Sequence, residues 1–176
     1  MVRTMVIRVA ALALLLLLVV VSVIMIRTLN RLPDTIIYLV RSEPIRFHLE
    51  AVGRHSNERV LEARLRQAIK LLIAGPTPEE AARGLSTAIP ADTRILQLAV
   101  DGDTVILDLS ADFAHGGGTA AMMGRLYQVL YTLTQPSSIK SVALYLEGQP
   151  LTVLGGEGIM VDHPWHRAEH ASLPVW

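Results

Sequence analysis

Residues 9–26 read VAALALLLLLVVVSVIMI, with Ser22 the only polar side chain and no charge. At about 1.5 Å of rise per residue this run makes roughly 27 Å of helix, close to the ~30 Å hydrocarbon thickness of a bilayer. Each Leu, Ile or Val at the centre of such a helix favours insertion by roughly 0.3–0.6 kcal/mol. The run therefore predicts an uncleaved transmembrane signal anchor over residues 9–26, after a short cytoplasmic segment 1–8 and before a polar linker 27–34 whose Pro33 stops the membrane helix. The alternatives are a cleaved signal peptide and a buried soluble helix. A signal peptide has an apolar core of about 7–15 residues and a small-x-small cleavage site, whereas this run is longer and ends in Ile24, Met25, Ile26 and Arg27. Arg3 and Arg8 on one flank slightly outweigh Arg27 and Arg31 on the other, once the α-amino group is counted. The expected topology is single-pass in the cell membrane with the C-terminal domain extracytoplasmic.

The 142 residues beyond the linker are enough for one domain with a core of its own. The net charge of zero hides a split. Residues 1–34 carry four Arg and one Asp, and residues 35–176 carry twelve basic and fifteen acidic groups, about −3. A mildly acidic domain offers no basic face for nucleic acid. The chain has no Cys, which excludes disulfides, thiolate metal ligands and a lipid-modified cysteine.

Hydrophobic periodicity divides that domain, residues 35–162, into alternating elements. Residues 35–40 are β-branched and aromatic, a buried strand; residues 47–54 alternate as a half-exposed strand, with a turn at Arg41-Ser42-Glu43-Pro44. Residues 58–74 predict a helix with Leu61, Leu65, Ala68, Ile69, Leu72 and Ile73 on one stripe, Ser56 or Asn57 as its cap and Glu62/Arg66 as an outer ion pair. Gly75-Pro76 ends it, and Thr77-Pro78-Glu79-Glu80 opens a second, short helix with a capping box. Residues 94–100 and 104–109 are strands around Asp101-Gly102-Asp103, a hairpin signal. Gly116-Gly117-Gly118 is a flexible loop, and Thr119 is expected to cap a helix over 120–134 with Met123, Leu126, Leu130 and Leu133 inward. Strands follow over 139–146 and 151–154, joined through Glu147-Gly148-Gln149-Pro150, and residues 163–176 read as an irregular tail. The class is α+β: a two-layer sandwich in which two long helices cover one face of a mixed β-sheet, preceded by the transmembrane helix.

Several ordered segments carry a resemblance. They are Leu72-Ile73-Ala74-Gly75-Pro76-Thr77-Pro78-Glu79-Glu80, Gly84-Leu85, Ile89-Pro90, Asp108-Leu109-Ser110-Ala111-Asp112-Phe113, Gln128-Val129-Leu130-Tyr131-Thr132-Leu133-Thr134-Gln135, Ile139-Lys140-Ser141-Val142 and Leu154-Gly155-Gly156-Glu157-Gly158. Together they resemble the GerMN domain of bacterial sporulation and spore germination proteins, over roughly residues 35–167. The resemblance implies a compact α/β domain related to ring-building modules of spore-envelope assemblies. It also implies an extracytoplasmic, membrane-attached, non-enzymatic role in envelope assembly, and it supplies no catalytic residues. The spore form has two such domains and a lipid-modified Cys; this chain shows one domain and no Cys.

Four features carry a chemical alternative. His166-Arg167-Ala168-Glu169-His170 matches the zinc-protease pattern H-x-x-E-H, which needs both His on one helical face and a further ligand downstream. The six residues after His170 include no ligand, and the match is read as a tail segment, with adventitious metal binding by His163, His166 and His170 as a weaker alternative. Gly116-Gly117-Gly118-Thr119 before a helix could cradle a phosphate, but no Lys follows at P-loop spacing, so a connector is expected. Asp108, Ser110 and Asp112 echo a calcium loop without its Gly and terminal Glu. Trp165 and Trp176 can dock on the domain or rest at a membrane surface. No catalytic, cofactor or metal residue is assigned, and no cofactor is expected. The expected function is a non-catalytic envelope module binding the membrane, other envelope proteins or itself through a sheet edge or helix face. The alternatives are an ectodomain that binds peptidoglycan or glycan fragments and a metal-dependent hydrolase using the tail histidines.

Overall fold

A computed structural model describes residues 2–29, 33–44, 46–156 and 158–170. The chain divides into two units, 1–33 and 34–176. The first is one helix, α1 (Val2–Leu29), whose described side chains, residues 12–26, are exposed all round. Among the described residues no helix is long and apolar enough to cross a membrane. Part of the expected span, residues 9–11, has side chains outside the described set.

The second unit opens with the expected hairpin, β1 (Thr35–Glu43) and β2 (Arg46–Arg54), paired antiparallel from Thr35↔Arg54 to Glu43↔Arg46. The run Ile37-Tyr38-Leu39-Val40 is buried throughout, as a β-branched and aromatic stretch requires when both faces are covered. Then come α2 (Leu61–Ala74), α3 (Pro78–Ala82) and β3 (Leu85–Ser86), the last pairing antiparallel with β1. Leu65, Ala68, Ile69 and Leu72 form the buried stripe of α2. Full burial of a side chain such as Leu72 is worth about 2 kcal/mol. Gly75 ends α2 at φ +80°, and a Cβ there would come within 3.1 Å of Thr87 Cγ2, so both conformation and space call for glycine.

Two local expectations fail at the start of α2. The helix begins at Leu61, and its cap residue Val60 makes no side-chain bond. Ser56 is occupied elsewhere: its N–H donates to Asp34 Oδ1 (2.6 Å) and its hydroxyl accepts from Glu58 N–H (3.2 Å). Nor does Glu62 form the expected pair with Arg66; its Oε1 accepts from the Val100 N–H at 3.0 Å. A backbone donor on a strand edge has taken the carboxylate that the helix surface would otherwise share.

The second sheet runs in the order β10 (Trp165–His166), β6 (Ser141–Leu146), β5 (Thr104–Leu109), β4 (Ile95–Asp101), with β7 (Gln149–Pro150) also on β6. The β4–β5 hairpin forms around Asp101-Gly102-Asp103 as expected, and a bulge lies at residues 95–97. Strands β5 and β6 are parallel, so a crossover must join them, and α4 (Thr119–Leu133) is that crossover. The segment expected as a last strand gives only β8 (Val153–Leu154), which pairs with β9 (Ile159–Met160) in a separate two-stranded ribbon.

The strands thus form two principal sheets, and the expected single sheet with helices on one face is corrected. Helix α4 packs on both β1 and β6, and α2 packs on β1, β4 and α4. The reason lies in α4 itself. Its buried residues include Met122, Arg125, Leu126, Gln128, Val129, Leu130, Thr132 and Leu133, nearly its whole circumference, so one sheet face cannot cover it. The predicted inward Met123 is only partly buried. Gly118 is the cap of α4 and Thr119 its first residue, without a side-chain cap bond, so Thr119 does not cap the helix. The segment after 162 is not irregular where described: it supplies β10 and a 3-10 turn (Arg167–His170).

The capping box of α3 forms as expected, and it carries more than a helix end. Thr77 Oγ1 accepts from Glu80 N–H (3.3 Å) and Glu80 Oε2 accepts from Thr77 N–H (2.9 Å). The same carboxylate takes a two-pronged bond from Arg54 at the end of β2, at 2.7 and 2.6 Å. The Arg54 hydrogen bond holds Glu80 below the ordinary value of 4.5, against the opposing effect of burial. A carboxylate depressed in the folded state adds stability above its unfolded value, and that stability is lost as pH falls through the folded value. Glu80→Gln is therefore expected to lower stability by about 1–3 kcal/mol at pH 7. The difference from wild type should shrink as pH falls below 4.5, measured by urea denaturation at stepped pH.

Candidate functional site

Helix α4 carries a polar stripe, Arg125, Gln128 and Thr132, spaced three and four residues apart, and Gln135 follows two residues past the helix end. The first three are 3 %, 0 % and 1 % exposed. Each is bonded to backbone. Arg125 donates to the carbonyls of Ala88 (2.9 Å), Phe113 (2.7 Å) and Gly116 (2.6 Å). Gln128 accepts from Ala88 N–H and donates to the Tyr38 carbonyl, both at 2.8 Å. Thr132 Oγ1 accepts from Tyr38 N–H at 3.1 Å. Tyr38 presents these groups on the edge of β1 that β3 pairs two residues later, at Val40↔Ser86. Side chains of α4 thus continue the ladder that β3 begins. Burial alone lowers the Arg125 pKa, and three carbonyls surround the charge.

The stripe leads to the C-terminal end of α4, where an open cleft of ≈690 Å³ is lined by Asp103, Thr134, Gln135, Ser137, Ile139, Lys140, His166, Arg167 and Ala168. Arg167 is its fixed point. Nη1 donates to the carbonyls of Tyr131 (3.4 Å) and Thr134 (3.2 Å), which a helix end leaves without internal partners. A cation there also meets the negative end of the helix dipole. The guanidinium stands 4.7 Å over the Tyr131 ring and 5.9 Å from the Tyr38 ring centre, and Nη2 reaches the Tyr38 hydroxyl at 3.5 Å. That hydroxyl also accepts from Gln135 at 2.7 Å. Burial raises the Tyr131 phenol pKa, with Arg167 opposing, so the phenol stays protonated beside the guanidinium. The backbone holds the arrangement from the other side: Arg167 N–H donates to Lys140 O (3.0 Å), and Trp165 pairs with Val142. Trp165 is buried against Tyr127, with ring centres 5.9 Å apart. The cleft offers a guanidinium, an ammonium, an imidazole, amide and hydroxyl groups and one carboxylate, a set that hydrogen-bonds polar chains.

The H-x-x-E-H residues do not form the helical face that zinc chemistry needs. His166 is in β10, Arg167 is committed to α4, and Glu169 is exposed in a 3-10 turn. The His170 side chain, Trp176 and Glu157 lie outside the described residues. His163 is exposed and pairs with Asp162 at 2.9 Å, a bond that lowers the Asp162 pKa. Among the described residues no group of three or more His, Cys, Asp or Glu is placed to hold a metal ion. The glycine loop turns a carbonyl, that of Gly116, toward Arg125. Gly117, at φ +82°, lies where a Cβ would come within 2.6 Å of Ala121 Cβ, so the loop is a tight clamp. Asp108 accepts from Gly148 N–H with both oxygens and fixes the turn after β6. Ser110 accepts from Arg94 N–H and donates to Asp112, so the three residues do not converge as a cage. Reasoning from sequence missed Arg125, Gln128 and Thr132; their helical spacing inside an otherwise apolar helix is the signal that marks them.

A family model described as Germane, sporulation and spore germination, matches residues 36–152. Among solved structures, the first GerMN domain of the sporulation protein GerM from Bacillus subtilis is 22% identical, with TM-score 0.59 over 76% of this chain and 97% of that one. The tandem GerMN domains of the same protein are 20% identical with TM-score 0.59; the likeness covers 75% of this chain and 44% of theirs. A candidate lipoprotein from Clostridium perfringens is 20% identical with TM-score 0.56, over 76% of this chain and 87% of that one. At these identities the likeness shows a shared fold. No curated protein matches.

Arg167→Met keeps the length of the side chain and removes its charge and donors. It is expected to cost about 2 kcal/mol, from lost charge-assisted hydrogen bonds and the cation–π contact. Urea denaturation measures that loss, and limited proteolysis should show faster cleavage after residue 162 in the variant.

Proposed function

The chain belongs to the Germane family, sporulation and spore germination, and from that premise we propose that it is a membrane-anchored, extracytoplasmic, non-catalytic interaction module of spore-envelope or cell-envelope assembly. One observation carries this reading: a helix whose described side chains, residues 12–26, are apolar but for Ser22 and exposed all round is joined to a domain of that family. A helix apolar on every side needs an apolar surrounding, and the eighteen-residue run 9–26 has the length for one bilayer crossing. Protease added to intact spheroplasts is expected to digest the domain. Survival there, with digestion only after lysis, would invert the topology.

For partner binding, the edge of β2 is the favoured surface. Among the described residues β2 pairs with β1 alone, along nine residues. The other long edge strand, β4, is bulged and has its Val100 N–H occupied by Glu62. Because Tyr38 turns its N–H and C=O toward α4, its partner Ala51 turns its own away from β1. Ala51→Pro thus removes an outward donor without removing a β1–β2 bond. Crosslinking and affinity capture from detergent-solubilised membranes should recover an envelope protein or a second copy with the wild type, and much less with Ala51→Pro. A domain that stays monomeric and captures nothing overturns the reading. The polar cleft at the end of α4 favours a second reading, recognition of peptidoglycan fragments, which sedimentation with purified sacculi tests.

A further inference from the structure

Among the described residues, six of the twelve Lys and Arg side chains of residues 35–176 have internal partners. Arg41 and Arg83 pair with Glu50, Arg54 pairs with Glu80, Arg125 and Arg167 bind carbonyls, and Lys140 donates to Ser137 O. Arg66, Lys70 and Arg94 are three of the six without one, and they alone of those six share a depression. Among the described residues none of the three side chains has an ion pair or a hydrogen bond. Yet all three line one depression of ≈400 Å³ between α2 and the start of β4. Arg66 and Lys70 stand four residues apart on one helix face, where like charges repel. The carboxylate one turn before Arg66, Glu62, is bound to Val100 N–H, and Asp92 forms no ion pair that could neutralise the group. Arg94 is held by its backbone: its N–H donates to Ser110 Oγ at 3.0 Å, which leaves the guanidinium free. Ile73 and Ile95 line the same depression, and so does Thr93. The Thr93 hydroxyl is one of two buried side-chain oxygens among the described residues without a partner. This concentration of uncompensated positive charge lies on a domain whose overall charge is about −3.

We propose that Arg66, Lys70 and Arg94 form a binding site for a phosphodiester anion. Two guanidinium forks and one ammonium suit a tetrahedral anion, since Arg presents paired N–H donors and Lys a point charge. The depression is open and larger than a bare phosphate, so it admits a phosphate carried on a chain or a headgroup. A glycerol phosphate unit meets both conditions, and it can come from a wall polymer or from a lipid.

The test uses the full chain in nanodiscs of phosphatidylcholine. One arm titrates fluorescent poly(glycerol phosphate); the other titrates soluble dihexanoyl phosphatidylglycerol, with dihexanoyl phosphatidylcholine as the uncharged-headgroup control. Saturable binding in the first arm alone assigns a wall polymer, and in the second alone a lipid headgroup; either supports the site. Arg66→Gln, Lys70→Gln and Arg94→Gln should each weaken binding about fivefold, and the triple variant about a hundredfold, as expected for about one unit of surface charge attraction per cation. Arg59→Gln, an exposed cation outside the depression, should leave affinity unchanged. Absence of saturable binding in both arms overturns the proposal. So does a triple variant that binds like wild type, or an Arg59→Gln variant that loses as much as the other three. Because no step of the test concerns a protein partner or the topology, its failure leaves the proposed function standing.

Discussion

Tyr38 sits where β1 would run out of partners, and the side chains of one helix take up its backbone. A buried N–H or C=O without a hydrogen bond costs about 1–3 kcal/mol, so a strand that loses its neighbour in mid-course must find another donor and acceptor. Strand β3 pairs β1 only at Val40 and Arg41. Thr132 and Gln128 of α4 accept from and donate to Tyr38, and Gln128 reaches on to Ala88 N–H. The crossover helix of the second sheet is thereby hydrogen-bonded into the first. Its burial, the absence of a wider third strand and the division into two sheets are aspects of one solution.

That solution explains where the polar residues of the domain are spent. Arg125 gathers three carbonyls from Ala88, Phe113 and Gly116, so a loop, a 3-10 turn and the glycine clamp converge on one guanidinium. Arg167 does the same at the other end of α4, with two helix carbonyls and two aromatic rings. Glu80 joins α3 to β2 through Arg54. Arg125, Arg167 and Glu80 thus each tie together elements distant in sequence. Among the cations without such a task, Arg66, Lys70 and Arg94 are brought together on one depression.

The local chemistry of the chain was legible wherever one residue type has one physical use. Gly75 and the Thr77/Glu80 box mark helix ends by conformation and capping, and Asp101-Gly102-Asp103 marks a hairpin. The α+β class follows from periodicity. The layering was not legible, because a polar residue at helical spacing has two uses. Arg125, Gln128 and Thr132 read as a solvated face when α4 is imagined against a single sheet, and as a buried bonding stripe when it lies between two. Ser56 and Glu62 failed similarly: each is a sound local cap or pair, yet the Ser56 hydroxyl accepts from Glu58 N–H while its own N–H donates to the Asp34 carboxylate, and the Glu62 carboxylate is taken by the distant Val100 N–H. In the tail, a strand of two residues carries no periodicity, so Trp165–His166 could not be seen before its partner β6 was in place. Of the candidate sites, the motif H-x-x-E-H drew notice by its letters, while its second residue, Arg167, is the one the cleft depends on.

The bond between Arg167 and Tyr38 joins residues 129 positions apart. Closing so long a loop costs chain entropy before any contact repays it, which places this step late in folding. A chain that emerges from the ribosome, or threads a translocation channel from its N-terminal end, has β1 and α4 outside well before residue 167 follows. Until then the last turn of α4 keeps bare carbonyls and β6 keeps an open edge. The contacts of residues 165–167 are thus the last that a chain made from its N-terminal end can complete.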